Sequence, residues 1–122
     1  MDSKPSGADV RRRVLGAAHV ARTSDPNAFM APFYELSTEH AWGGAWVRPG
    51  LDLKQRSLVV VSVLIALGRS HELGLHLRGA LNVGWTAEEL REVCLQTTAY
   101  AGYPAALDAL RVLQEIVAEP RS

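Results

Sequence analysis

Asp52-Leu53-Lys54-Gln55-Arg56-Ser57-Leu58-Val59-Val60-Val61-Ser62-Val63-Leu64-Ile65-Ala66-Leu67 is the stretch on which the fold turns. Val59, Val60, Val61 and Val63 are β-branched and favour a strand. Against that, Asp52 is followed three residues on by Gln55, which reads as a capping box with an aspartate oxygen as acceptor. The run is also longer than an ordinary strand, and no second convincing strand exists for it to pair with. The pattern therefore predicts a helix over 52–67. Beyond Arg56 it is apolar almost all round, so other helices or a partner subunit must enclose it.

Working outward, Gly, Pro and Trp mark Trp42 to Gly50 as a loop, and Gly43-Gly44 is expected to end a helix over 27–41. Phe29, Phe33, Leu36 and His40 recur at spacings of three and four and make one face of that helix, with Pro32 tolerated near its start. Asp9 is expected to cap a first helix over 9–21 that turns Val10, Val14, Leu15, Ala18 and Val20 inward, and Ser24-Asp25-Pro26 breaks the chain after it. Downstream, a helix over 69–83 stops at Gly84. Thr86 and Glu89 form a second capping box, opening a helix that reaches Tyr100 and is ended by Gly102. Pro104 begins a sixth helix ending near Pro120. The expected fold is all-α: a single domain of about six helices over 9–118, with a flexible N-terminus at 1–8 and a tail at 119–122.

Composition narrows the function. The 122 residues suit one domain, and 48% are apolar, enough for a sizeable core. Thirteen basic residues balance thirteen acidic ones, so no nucleic-acid partner is expected, and Arg11-Arg12-Arg13 reads as a solvated helix start. Cys94 is the sole cysteine, which excludes an intramolecular disulfide, a two-thiol redox pair and a cysteine zinc cluster within one chain. The polar N-terminus lacks a signal-peptide core, and the apolar run Leu58 to Leu67 is far short of the ~20 residues of a membrane span. A cytoplasmic protein with no membrane partner is expected.

Chemistry concentrates in Arg69-Ser70-His71-Glu72-Leu73-Gly74-Leu75-His76. Glu72 and His76 share a helix face at a spacing of four. His71 and His76 are five apart and do not stack as paired ligands, so no metal site is expected. His76 can be read as a core histidine or as an acid–base group whose unperturbed pKa near 6.5 suits proton transfer around neutrality.

His40-Ala41-Trp42-Gly43, Trp46-Val47-Arg48-Pro49-Gly50-Leu51-Asp52, Arg56-Ser57-Leu58, His71-Glu72-Leu73 and His76 occur in order, followed by Gly84, Thr86 to Val93 and Tyr100 to Ala106. From about Arg12 to Ile116 the chain thereby resembles the 4-carboxymuconolactone decarboxylase (γ-carboxymuconolactone decarboxylase) family of the alkyl hydroperoxidase D-like superfamily. The peroxidases of that superfamily carry Cys-x-x-Cys-x-x-x-His on this helix. Aligned on His76, their cysteines fall at Arg69 and Glu72 and their proton-relaying glutamate at Ser57, so the thiol machinery is missing and peroxidase chemistry is not expected. The chain departs from the decarboxylase pattern at Ser70, where Glu is common, and at Gly74, where Arg is common. Gly74 costs ~1 kcal/mol against Ala in a helix, which suggests that it makes room for a ligand or a neighbouring helix.

The resemblance implies an alkyl hydroperoxidase D-like helical bundle that removes carbon dioxide from a lactone bearing two carboxylates. The departing carboxylate sits on a carbon conjugated to the lactone carbonyl, so the substrate supplies its own electron sink and no cofactor is expected. The protein must anchor the remaining carboxylate, stabilise charge on the lactone oxygen and protonate carbon. His76 is the expected acid, with Glu72 orienting it or holding it charged. Arg48 is the expected carboxylate anchor, its planar fork suited to bidentate pairing, with Arg69 as the rival. Trp42 and Trp46 wall the pocket or pack as core. His71 and His40 are secondary binding candidates, and Tyr100 and Tyr103 are expected to pack. The resemblance also implies a homo-oligomer, trimer or hexamer, with sites near subunit boundaries. The expected role is conversion of 4-carboxymuconolactone to 3-oxoadipate enol-lactone in protocatechuate (β-ketoadipate) degradation. The alternatives are another small acid as substrate, or a non-catalytic helical oligomer.

Overall fold

The computed structural model describes residues 5–23 and 27–120. The Ser24-Asp25-Pro26 break, the first four residues of the expected flexible terminus and the last two of the tail lie outside the described residues. Every regular element among the described residues is helical. In chain order they are α1 (Gly7–Leu15), α2 (Ala17–Thr23), α3 (Ala31–Leu36), a π-helical segment (Ser37–Ala45), α4 (Leu53–Leu67), α5 (Ser70–Asn82), α6 (Ala87–Gln96), α7 (Thr98–Ala101) and α8 (Tyr103–Val117). The all-α expectation holds, with three of the six expected helices subdivided.

The decisive stretch is helical because its start is chemically specified. The Asp52 side chain accepts from the Gln55 amide at 2.7 Å while the Gln55 side chain accepts from the Asp52 amide at 3.0 Å. Thr86 and Glu89 make the same reciprocal pair at the start of α6. Gly68, left-handed at φ 69°, ψ 29°, closes α4 and turns the chain directly into α5, a conformation that glycine adopts without a Cβ penalty.

Four expectations are corrected. Ser6, not Asp9, caps α1, its hydroxyl accepting from the Asp9 amide at 3.1 Å. Gly16, at φ 94°, splits the expected 9–21 helix into α1 and α2, and Ala18 is exposed. The expected 27–41 helix does not stop at Gly43-Gly44 but widens into the π segment, so the loop begins only after Trp46. The reason is a close crossing. A Cβ on Gly7 would lie 2.7 Å from the Gly43 amide nitrogen, and one on Gly43 would lie 2.9 Å from the Thr38 carbonyl oxygen. These glycines let α1 press onto the π segment backbone to backbone. Finally, the apolar face of the second helix points outward: Phe29 is 88% exposed, Phe33 59% and Leu36 57%.

Two clusters form the interior. The larger joins α4, α5, α6 and α8 through Val61, Ile65, Leu73, Leu77, Leu90, Cys94 and Leu113. The smaller joins α1 to the π segment through Val10, Val14, Trp42 and Trp46. Helix α5 belongs to both regions, packing on α4 and α8 and receiving α1 at Gly79, where a Cβ would meet Val14 Cγ1 at 3.0 Å. One side of α4 stays open, with Val59, Val63 and Leu67 exposed. The enclosure expected for this helix is therefore incomplete within one chain.

Candidate active site

Helix α5 carries its chemistry from an exposed first turn into the interior. His71 and Glu72 lie exposed in its first turn, where a carboxylate is favoured by the helix dipole. His76, one turn beyond Glu72, sits half-buried against the smaller cluster. Its ring lies nearly parallel to Trp42 (centroids 6.0 Å apart, 12° between planes) and to Trp46 (6.4 Å, 16°). The two indoles stack on each other at 4.8 Å and 21°. That register depends on the π segment. The Trp46 amide donates to the Ala41 carbonyl at 3.0 Å, five residues back, so residues four apart stay nearly in line. Trp42 and Trp46 are thus core residues and also a wall beside His76.

Burial dominates the electrostatics of His76. Its pKa falls from 6.5 to about 4, chiefly through loss of solvent and then through the neighbouring His19, with Glu72 opposing both. At neutral pH the imidazole of the free protein is therefore uncharged, not the ready proton donor that its ordinary pKa implies. Its Nδ1 is buried without a hydrogen-bond partner, and so is the hydroxyl of Ser57 on α4. Such orphaned polar atoms are uncommon in a folded interior and are frequent where a ligand belongs.

The other sequence candidates spread around this group. Arg48 is exposed and lines a cleft with Trp46, Asp52 and Lys54; its carbonyl, rather than its side chain, is held by Arg56 at 2.6 Å. Arg69 and His40 are exposed. Gly74 faces α8, where a Cβ would meet Val112 Cγ1 at 3.6 Å and Ile116 Cδ1 at 3.7 Å. The charge absent from that position is thus absent from the α8 side, nearly half a helix turn away from His76. Tyr100 and Tyr103 are largely exposed rather than packed. Among the described residues, no three His, Cys, Asp or Glu side chains gather as a metal-holding group, and no helix is long and apolar enough to cross a membrane.

Sequence reasoning missed His19. It stands on α2, where burial, then Arg11, Arg22, Arg78 and His71 lower its pKa. Its approach to α5 follows from the Gly16 break, and no periodic signal announces it.

Comparison with known proteins places these features. The family described as "Carboxymuconolactone decarboxylase family" matches residues 31–115, spanning the π segment, α4, α5 and most of α8. A 4-carboxymuconolactone decarboxylase of Acinetobacter baylyi is 44% identical over 111 residues, covering 90% of this chain and 83% of that protein. A nitrosuccinic acid decarboxylase of Metarhizium robertsii is 44% identical over 112 residues, covering 91% and 78%. An uncharacterized 15.0 kDa protein of Paracoccus denitrificans is 34% identical over 80 residues, covering 64% and 60%. With the matched region carrying the Trp42–Trp46–His76 stack, the chain belongs to the carboxymuconolactone decarboxylase family.

Proposed function

We propose that this protein is a cofactor-independent carboxy-lyase that converts 4-carboxymuconolactone to 3-oxoadipate enol-lactone in the β-ketoadipate pathway. The observation that carries the reading is a buried, uncharged imidazole with an unpartnered nitrogen, walled by two indoles, within a chain 44% identical to a decarboxylase of that substrate.

The chemistry needs little from the protein. The bond to the departing carboxylate breaks, its electron pair passes into the conjugated lactone carbonyl as a dienolate, and a proton then adds to carbon. A dry aromatic wall favours release of neutral carbon dioxide from a carboxylate stripped of water. His76 delivers the proton. In the free protein it is neutral, but a bound anion favours the imidazolium, and the indole faces stabilise that cation further. Substrate binding and protonation of His76 are thereby coupled, with Glu72 supporting the charged form from the same helix face. Arg48 and Arg69 are the anchors offered by sequence for the carboxylate that stays.

The equal identity to a nitrosuccinic acid decarboxylase favours a second substrate of the same class, a small diacid whose nitro group serves as the electron sink. We place the protein in the cytoplasm as a homo-oligomer, trimer or hexamer. The uncovered Phe29, Phe33, Val59, Val63 and Leu67 support association; light scattering of the purified protein measures it. The test of function is turnover of 4-carboxymuconolactone and of nitrosuccinate side by side, followed by carbon dioxide release. His76→Ala is expected to lose roughly 10²–10⁴-fold in rate, the usual worth of general acid catalysis. No turnover of either compound by an intact oligomer refutes the reading.

A further inference from the structure

The chain from Trp46 to Asp52 links the aromatic wall to the start of α4, and Arg56 fastens it midway. Arg56 Nε donates to the Leu51 carbonyl at 3.1 Å and Nη2 to the Arg48 carbonyl at 2.6 Å. Arg56 has no ion pair among the described residues, so its fork is given over to this backbone. An ammonium, a single point of charge, cannot hold two carbonyls in one fixed geometry. The guanidinium lines an apolar hollow of about 170 Å³ with Trp46, Leu51, Val59 and Val60. That volume is below the ~300 Å³ at which ligand pockets begin, which suits a buttress better than a second binding site. The Arg48 side chain, by contrast, is exposed and makes no ion pair or hydrogen bond among the described residues. It shares a cleft with Trp46 and follows it by two residues, at most about 7 Å of backbone. Trp46 in turn lies 6.4 Å from the His76 ring, so the chain itself ties Arg48 to the wall.

Resting on the decarboxylase reading, with Arg48 as anchor of the carboxylate that stays, we propose that Arg56 is a positioning residue that acts on substrate binding through Arg48. It fixes the backbone from which the Arg48 side chain projects. Pro49 and Gly50 bend the chain between the two held carbonyls, Gly50 at φ 120°, a conformation that glycine alone adopts freely. One guanidinium bonded on both sides of that bend sets its shape. A free arginine on a loose turn loses both side-chain and backbone freedom when it grips a ligand, whereas on a fastened turn the backbone part is already spent. The effect belongs to binding rather than to the chemical step. An anchor on the carboxylate that stays holds substrate and transition state about equally, so its loss raises KM more than it lowers kcat.

The test is a double-substitution cycle on the full chain, read as KM for 4-carboxymuconolactone and as affinity for succinate, an unreactive dicarboxylate, by calorimetry. Arg48→Ala is expected to weaken both about tenfold, the loss typical of a charge-assisted pair. Arg56→Ala is expected to weaken both about threefold to tenfold, the effect of ordering one long side chain. Arg56→Lys, which keeps charge and stem but not the fork, is expected to match it and stands in for it if a thermal melt shows Arg56→Ala unfolded. Carrying both Arg48→Ala and Arg56→Ala should be no worse than Arg48→Ala alone, because independent losses multiply and losses through one shared group do not. Hydrogen exchange across residues 47–51 is expected to quicken in Arg56→Ala, while the NMR-measured pKa of His76 holds, which separates a loosened turn from a displaced indole. Multiplying losses, unchanged exchange or a shifted His76 overturn the proposal, as does binding that never depends on Arg48. The two readings fail separately. The expected succinate pattern without turnover sinks the decarboxylase and leaves Arg56 acting through Arg48, whereas turnover with unchanged KM in Arg56→Ala sinks the positioning role and leaves the decarboxylase.

Discussion

Replacing His76 with Gln tests the central electrostatic claim without requiring a substrate. In the unfolded chain this imidazole titrates near 6.5, and in the folded protein at about 4. Between those values the unfolded state binds a proton that the folded state refuses, so stability rises with pH across the window. The contribution is fully present above pH 6.5 and is lost as pH falls through about 4. Its size is at most about 3 kcal/mol, from the free energy of each pKa step, and solvent at the exposed ring edge reduces it. At roughly 3–5 °C per kcal/mol for a domain of this size, that is a drop of about 10 °C in melting temperature between neutral and acid pH. His76→Gln keeps a polar side chain but cannot titrate. Melting curves collected from pH 7.5 to 4 should therefore fall less steeply for the variant than for the parent. The comparison cancels what the other groups contribute, including His19, Glu89 and Glu119, which also have lowered pKa values. Parallel curves, or an NMR titration placing His76 near 6.5, refute the claim that burial keeps it neutral.

Three further outcomes follow from the same structure. Glu72→Gln removes the carboxylate that favours the imidazolium, so the NMR-measured pKa of His76 moves lower still and the alkaline limb of kcat/KM, where the proton donor is lost, shifts to lower pH. Gly7→Ala drives a methyl group into the backbone of the π segment and is expected to cost about 2–3 kcal/mol in denaturant unfolding. Gly44→Ala, whose Cβ would meet only the Glu39 carbonyl oxygen at 3.5 Å, should change stability far less. Asp52→Ala and Thr86→Ala each break a reciprocal cap and are expected to cost about 1 kcal/mol apiece by the same measurement.

What could be read from sequence was chemically local. Asp52–Gln55 and Thr86–Glu89 announce helix starts because donor and acceptor lie three residues apart, and the length of 52–67 outweighs the preference of its valines. What could not be read depends on contacts between distant segments. Gly7 falls in the terminus expected to be flexible until the backbone of Gly43 is seen against it. Gly43-Gly44 resembles a stop for the same reason, and the shift from α to π geometry leaves no signature in the spacing of Phe29, Phe33 and Leu36. At the site, His76, Trp42 and Trp46 stand out by residue type, but their stacking needs the π register. His19 stayed hidden because its approach to α5 is set by the turn at Gly16. The unperturbed pKa assigned to His76 fails because burial is a property of the packed chain and not of the residue.

The π segment also makes the site sensitive to the number of residues, not only to their kinds. Surface connections generally accept an insertion or deletion by bulging outward. Between Ser37 and Ala45 the chain has no such freedom, because both indoles hang from its register and face one imidazole. Removing one residue upstream of Trp42 would swing the pair by roughly a quarter turn about the helix axis, carrying it off the face of His76. Sequence drift can change what this segment is made of, but a change in its length disassembles the wall in one step.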